Sequence, residues 1–95
     1  MSYQLIVQFK IKPEQVSAFV DIMQGAKERI AAAEGCGGVE VMVSKDAPNK
    51  VVLSEKWDSM ELHDVYAAKM RESGAMDQLA AFMEGAPESE VFEIR

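Results

Sequence analysis

The sequence predicts an α+β fold in the order βαββαβ: a ferredoxin-like, four-stranded antiparallel sheet with its helices on one face. Three observations carry this. Apolar residues recur every second position in the segments that open, centre and close the chain. They recur every third or fourth position in the two long segments between. Glycine and proline punctuate the changes of period.

Tyr3 to Ile11 alternates, with Tyr3, Leu5, Val7, Phe9 and Ile11 on one face and Gln4, Ile6, Gln8 and Lys10 on the other, which predicts a strand with one strongly buried face. Pro13 stops it and suits the first turn of a helix. From Glu14 to about Glu34, Val16, Phe19, Val20, Met23, Ala26 or Lys27, and Ile30 form one apolar stripe. Gly35 ends that helix, and Gly37 and Gly38 loosen the chain before the next strand. Val39 to Ser44 and Val51 to Trp57 alternate again. Between them Lys45 to Lys50 has turn composition, so the pair reads as an antiparallel hairpin. Asp58 is placed to cap a second helix, with Glu61 as its reciprocal partner. His63, Tyr66, Ala67 and Met70 share one face of it. Ser73-Gly74 breaks or bends the helix, and Met76, Leu79, Ala80 and Met83 continue a stripe beyond. Gly85-Ala86-Pro87 ends the helical part, and Val91 to Ile94 forms the last strand.

A chain of 95 residues has room for one domain, spanning 1–95. A domain of this size buries roughly 60–65% of the surface its unfolded chain exposes. One cysteine, Cys36, and one histidine, His63, allow no disulfide framework and no dense metal site. The net charge is −6 and the ten Lys and Arg residues are scattered, which disfavours a nucleic-acid partner. The N-terminal stretch lacks the basic and apolar regions of a signal peptide, and no segment is apolar for long enough to cross a membrane. With a lone cysteine, this points to the cytoplasm.

The second face of the sheet would carry Ile6, Met42, Val52, Phe92 and Ile94, interleaved with Gln8, Glu40, Ser54 and Glu93. Two helices cannot cover both faces. The excess of apolar residues on the uncovered one predicts a homodimer paired sheet to sheet.

Three stretches read together carry a resemblance. Ile11-Lys12-Pro13-Glu14 precedes the long helix. Glu34-Gly35-Cys36-Gly37-Gly38-Val39-Glu40-Val41 ends it and opens the second strand. Ser54-Glu55-Lys56-Trp57-Asp58-Ser59 closes the third strand and opens the second helix. In this order the chain resembles the antibiotic biosynthesis monooxygenase family. The resemblance implies a dimeric α+β barrel with a pocket in each subunit between sheet and helices. It also implies oxidation of a small electron-rich phenol, anthrone or quinol by molecular oxygen, with no flavin, haem or metal. Some relatives degrade haem, and others have no demonstrated activity. Haem-degrading relatives place an Asn on the first strand and a haem-ligating His on the second helix. Here the only Asn is Asn49, in the hairpin turn, and Ala67 takes the ligand's slot. Many non-haem relatives have a His where this chain has Tyr66.

Individual residues admit two readings. Trp57 is either a core residue or an aromatic wall on which a planar substrate stacks. Glu55 lies between Leu53 and Trp57 on an otherwise apolar face. Buried, it would be a base of raised pKa; paired or near an edge, it would be structural. His63 is a candidate proton acceptor or an ordinary first-turn histidine. Tyr66 can hydrogen-bond a phenolic oxygen or sit half-buried. Met23 and Met70 are adaptable lining or core. The catalytic candidates are therefore His63 and Glu55, and the substrate-binding candidates are Trp57, Tyr66, Met70 and Met23. Two functions follow: a cofactor-free monooxygenase, or a non-catalytic dimeric binding or structural module. An open cavity touching Glu55 or His63 would favour the first. A pocket closed by Met23, Trp57, Tyr66 and Met70 would favour the second.

Overall fold

A computed structural model describes residues 2–95. The elements run β1 (Tyr3–Lys10), a 3-10 turn (Pro13–Gln15), α1 (Val16–Ala31), β2 (Cys36–Val43), β3 (Lys50–Trp57), α2 (Met60–Ser73), α3 (Ala75–Ala80) and β4 (Glu88–Glu93). The strands form one antiparallel sheet in the order β2-β3-β1-β4, the arrangement the sequence predicts.

The alternation in β1 sorts its side chains as expected. Leu5 and Phe9 are buried on the helix side, and Ile11, just past the strand, is fully enclosed. Leu5 lies opposite Glu55, Val7 opposite Leu53 and Phe9 opposite Val51. The stripe of α1 packs onto this face through Phe19, Met23, Ala26 and Ile30. Ala26, not Lys27, is the buried member of the ambiguous pair. Phe19 is sandwiched between Phe9, at 5.2 Å between ring centroids, and Phe82, at 6.1 Å. The eleven core residues all come from β1, the residue after it, α1, β2 and β3.

Several boundaries differ from expectation, each for a local reason; α3 ends at Ala80 rather than running on through Met83 to Gly85, because Met83 pairs with Ile11 instead. The first helix opens as a 3-10 turn behind Pro13 and its α-helical part ends at Ala31. Strand β2 begins at Cys36 rather than Val39. Its glycines are part of the ladder, which shifts register between Cys36 and Gly38. A bulge of this kind is where a strand tolerates glycine. The cap of α2 is Ser59, not Asp58: Ser59 has extended backbone angles and its hydroxyl accepts from the Leu62 N–H at 3.3 Å. Strand β4 starts earlier, at Glu88, on an exposed sheet edge where burial writes no apolar pattern. Its register pairs Glu93 with Tyr3, on the helix side, and Phe92 with Gln4, on the other. Glu93 therefore does not share a face with Phe92.

The bend at Ser73-Gly74 is present. Gly74 takes φ +78, a left-handed conformation that ends α2 and starts α3. The chain beyond α3 is tied back to the end of β1 by an Ile11–Met83 bridge and by the Lys12 N–H donating to the Phe82 carbonyl at 2.9 Å. This places α2 and α3 along the helix-side face without any fully buried residue of their own.

The opposite face exposes Met42 at 43% and Phe92 at 46%. Among the described residues no helix is long and apolar enough to cross a membrane.

Candidate functional site

A cavity of about 350 Å³ lies between the sheet and its helices. β1 and β3 supply its floor with Leu5, Val7, Phe9, Leu53 and Glu55. One wall is α1, through Met23, Ala26 and Ile30. The other is α2 and α3, through His63, Tyr66, Met70 and Leu79 among others. The lining is apolar apart from a few groups, the usual composition of a small-molecule site. Glu55, His63 and Tyr66 line the same cavity, as do Met23 and Met70. A groove of the same volume opens where β1 leaves the sheet, lined by Lys10, Asn49, Lys50 and Glu84 among others, but none of those four is buried.

Glu55 is 6% exposed. Its position follows from alternation: on β3 the residues at 51, 53, 55 and 57 face the helices, and Glu55 is the ionisable one. Its Oε1 accepts a hydrogen bond from the Trp57 indole nitrogen at 2.8 Å. Burial pushes the carboxyl above the ordinary carboxylate range. The Trp57 bond and the charge of His63 pull it partway back. Among the described residues no buried side-chain oxygen or nitrogen lacks a partner. The one side-chain hydrogen bond of Glu55 engages Oε1, and the residue lines the cavity.

Trp57 is not on the cavity wall. It is fully buried one layer behind, in edge contact with His63 at 5.4 Å between ring centroids and tilted against Tyr66 at 5.9 Å. Of its two readings, core residue and stacking wall, Trp57 takes the first, in contact with Glu55, His63 and Tyr66. Face periodicity placed Trp57 on the correct side of β3 but could not separate a lining residue from one behind the lining.

His63 is placed by the Ser59 cap, which sets the first turn of α2 against Trp57. Its side chain is 20% exposed, and Nδ1 lies 3.1 Å from the Asp64 carboxylate. Burial first, then the charge of Glu55, raises the Tyr66 phenol above its ordinary value, with Arg29 opposing. Cys36, the register partner of Trp57, has its thiol raised by burial and further by Glu55 and Asp58.

Arg71, Asp77 and Pro87 also line the cavity and were not foreseen. Arg71 lies one helical turn beyond Ala67 on the face of α2 that lines the cavity, whereas Asp77 and Pro87 reach it through the bend at Gly74 and the return after α3, which periodicity within a single helix does not reveal. Ala67 lines the cavity too. Among the described residues no three His, Cys, Asp or Glu side chains are grouped to hold a metal ion.

The sequence profile of the family described as antibiotic biosynthesis monooxygenase matches residues 2–71. The chain belongs to that family. No curated protein matches it closely enough to be counted a relative. Among solved structures, a conserved protein from Methanosarcina mazei Go1 is similar, with a TM-score of 0.90 at 17% identity, covering 100% of this chain and 94% of that one. A monooxygenase from the gene ActVA-Orf6 of Streptomyces coelicolor, in complex with nanaomycin D, matches with a TM-score of 0.83 at 20% identity, covering 99% of this chain and 88% of that one. A Bordetella bronchiseptica protein described as a putative antibiotic biosynthesis monooxygenase matches with a TM-score of 0.82 at 21% identity, covering 99% of this chain and 97% of that one. At these identities the likeness establishes the family's fold; chemistry has to be argued from the site.

Proposed function

We propose that this protein is a cofactor-independent monooxygenase acting on a small, planar, electron-rich phenol, anthrone or quinol. The observation that carries the reading is Glu55: an acidic side chain almost fully buried at the lining of a largely apolar cavity, with one oxygen held by Trp57. Desolvation makes it a stronger base than an exposed glutamate, suited to taking a proton from a weakly acidic phenol or anthrone.

The resulting anion is electron-rich enough to reduce oxygen itself. One oxygen atom stays on the substrate as a new carbon–oxygen bond. The other leaves as water with the two hydrogens the substrate gives up. The chain's own groups would orient and dehydrate the substrate, accept its proton at Glu55, and stabilise the anion through Tyr66 and His63. Family membership and the likeness to a monooxygenase solved with nanaomycin D support this reading. The open cavity touching both Glu55 and His63 favours it over a non-catalytic module.

The functional unit in this reading is a homodimer joined through the sheet face that carries Ile6, Met42, Val52 and Phe92, and its place is the cytoplasm, where Cys36 stays reduced. The deciding experiment is oxygen uptake by metal-free protein across a panel of anthrones, naphthols and quinols. Uptake that falls about 10²- to 10⁴-fold in Glu55→Gln supports the proposal. No uptake above the uncatalysed rate on any of them rejects it.

A further inference from the structure

We infer that Trp57 is a positioning residue: its indole N–H and ring hold Glu55, His63 and Tyr66 as one constellation at the end of the cavity. The inference rests on the reading of Glu55 as the base. It assigns a role to a residue that no substrate touches.

The geometry is specific. Trp57 is fully buried, so its contacts are with protein alone. Its one polar atom donates to Glu55 Oε1 at 2.8 Å. The edge-to-face contact with His63 and the tilted contact with Tyr66 occupy the rest of the ring. Both residues come from α2, so the indole ties the strand that carries the carboxylate to the helix that carries His63 and Tyr66. A glutamate two residues away on the same strand would otherwise sample several rotamers within an apolar space. The indole bond selects one of them and commits one oxygen. The bond also favours the ionised form, working against the desolvation that makes the group basic.

His63 and Tyr66 face Glu55 from α2, Arg71 on α2 and Asp77 on α3 line the same cavity, and the Cys36 thiol lies beside Trp57 on β2. Asp58 lies near that thiol, and Arg29 on α1 bears on Tyr66. None of these donates a hydrogen bond to the carboxylate, so removing the indole donor should be felt directly.

Trp57 is the only tryptophan, which makes an isosteric test possible. Growth on benzothienylalanine puts a sulfur in place of the indole N–H while keeping the ring; Trp57→Phe removes the donor by mutation. The Glu55 carboxyl is followed by carbon NMR in glutamate-labelled protein, with Glu55→Gln to assign the signal, and the pH profile of kcat for oxygen uptake is measured beside it. With the donor gone, the Glu55 titration should move up by about one unit, and the ionised fraction below that point should fall about tenfold. The limb of the kcat profile should move with it, and KM should change less than kcat. An unchanged titration in the folded benzothienylalanine protein would overturn the inference and leave Trp57 as packing alone, even if Trp57→Phe fails to fold. The NMR readout needs no turnover. A shifted titration in a protein that consumes no oxygen would retain the positioning role and reject the proposed reaction.

Discussion

Leu5 and Glu55 face one another across the β1–β3 ladder, and both are almost fully buried, at 7% and 6% exposure. A carboxyl group thus sits opposite an aliphatic side chain in the middle of the sheet. Its environment raises its pKa above the unfolded value. Folding then favours the protonated form, and stability is highest below the unfolded carboxylate range. It falls as pH rises from there through the folded pKa, and is level above. Glu55→Gln keeps the size and an acceptor for the Trp57 N–H but cannot ionise. Thermal melts from acid to neutral pH should show the variant gaining on the parent as pH rises through this window. Parallel curves would show that the carboxyl is not destabilised by burial.

Gly35 and Gly25 should respond oppositely to alanine. Gly35 has φ +86, and a Cβ there would run into the Leu62 side chain at the start of α2. Gly35→Ala should lower stability by at least about 1–2 kcal/mol, the cost of the left-handed conformation alone. Gly25 is an exposed helical position in α1 with nothing within 4 Å of its missing Cβ. Gly25→Ala should raise stability by about 0.5–1 kcal/mol. Denaturant unfolding of both variants checks the pair.

Ala67→Phe should fill the cavity from its α2 wall. Ala67 lines the space but is not among the buried core residues, so the fold should survive. Oxygen uptake should be lost or KM raised at least about tenfold, with the Glu55 titration still observable. Unchanged kinetics would place the substrate elsewhere.

Phe92→Glu tests the proposed dimer. Phe92 is 46% exposed on the open face, paired with Gln4 in the ladder. The parent should sediment at about twice the chain mass at micromolar concentration. The variant should sediment as a monomer, because a desolvated carboxylate without a partner costs several kcal/mol. A monomeric parent would remove the sheet-to-sheet pairing.

Much of the fold was readable from the chain because burial imposes a period. Leu5 and Phe9 in β1, and Phe19, Met23, Ala26 and Ile30 in α1, are both the periodic residues and the buried ones. The signal failed where no face is buried: Glu88, Ser89 and Glu90 form half of β4 at an exposed edge. It failed again where backbone freedom mimics a loop, at Cys36 to Gly38 in the bulged start of β2. Asp58 and Ser59 are both good caps, and only the backbone angles separate them. In the site, Glu55 stood out as an acid in an apolar run, and His63, Tyr66 and Met70 as one helix face. The Trp57–Glu55 bond depends on two side-chain rotamers and leaves no mark on periodicity. Asp77 reaches the cavity only because α2 and α3 bend at Gly74, whereas Arg71 lies one turn past Ala67 on the lining face of α2.

The apolar core belongs to the sheet and α1, whereas α2 and α3 contribute half-buried side chains only. Opening free energy follows that division. Amide protons in β1, β3 and α1 should exchange only through global unfolding. Those of α2 and α3 should exchange through a smaller, local event that leaves the rest intact. The part of the wall that carries His63 and Tyr66 is thus the part that can lift away at low cost. The carboxylate it covers stays on the half of the molecule that does not move.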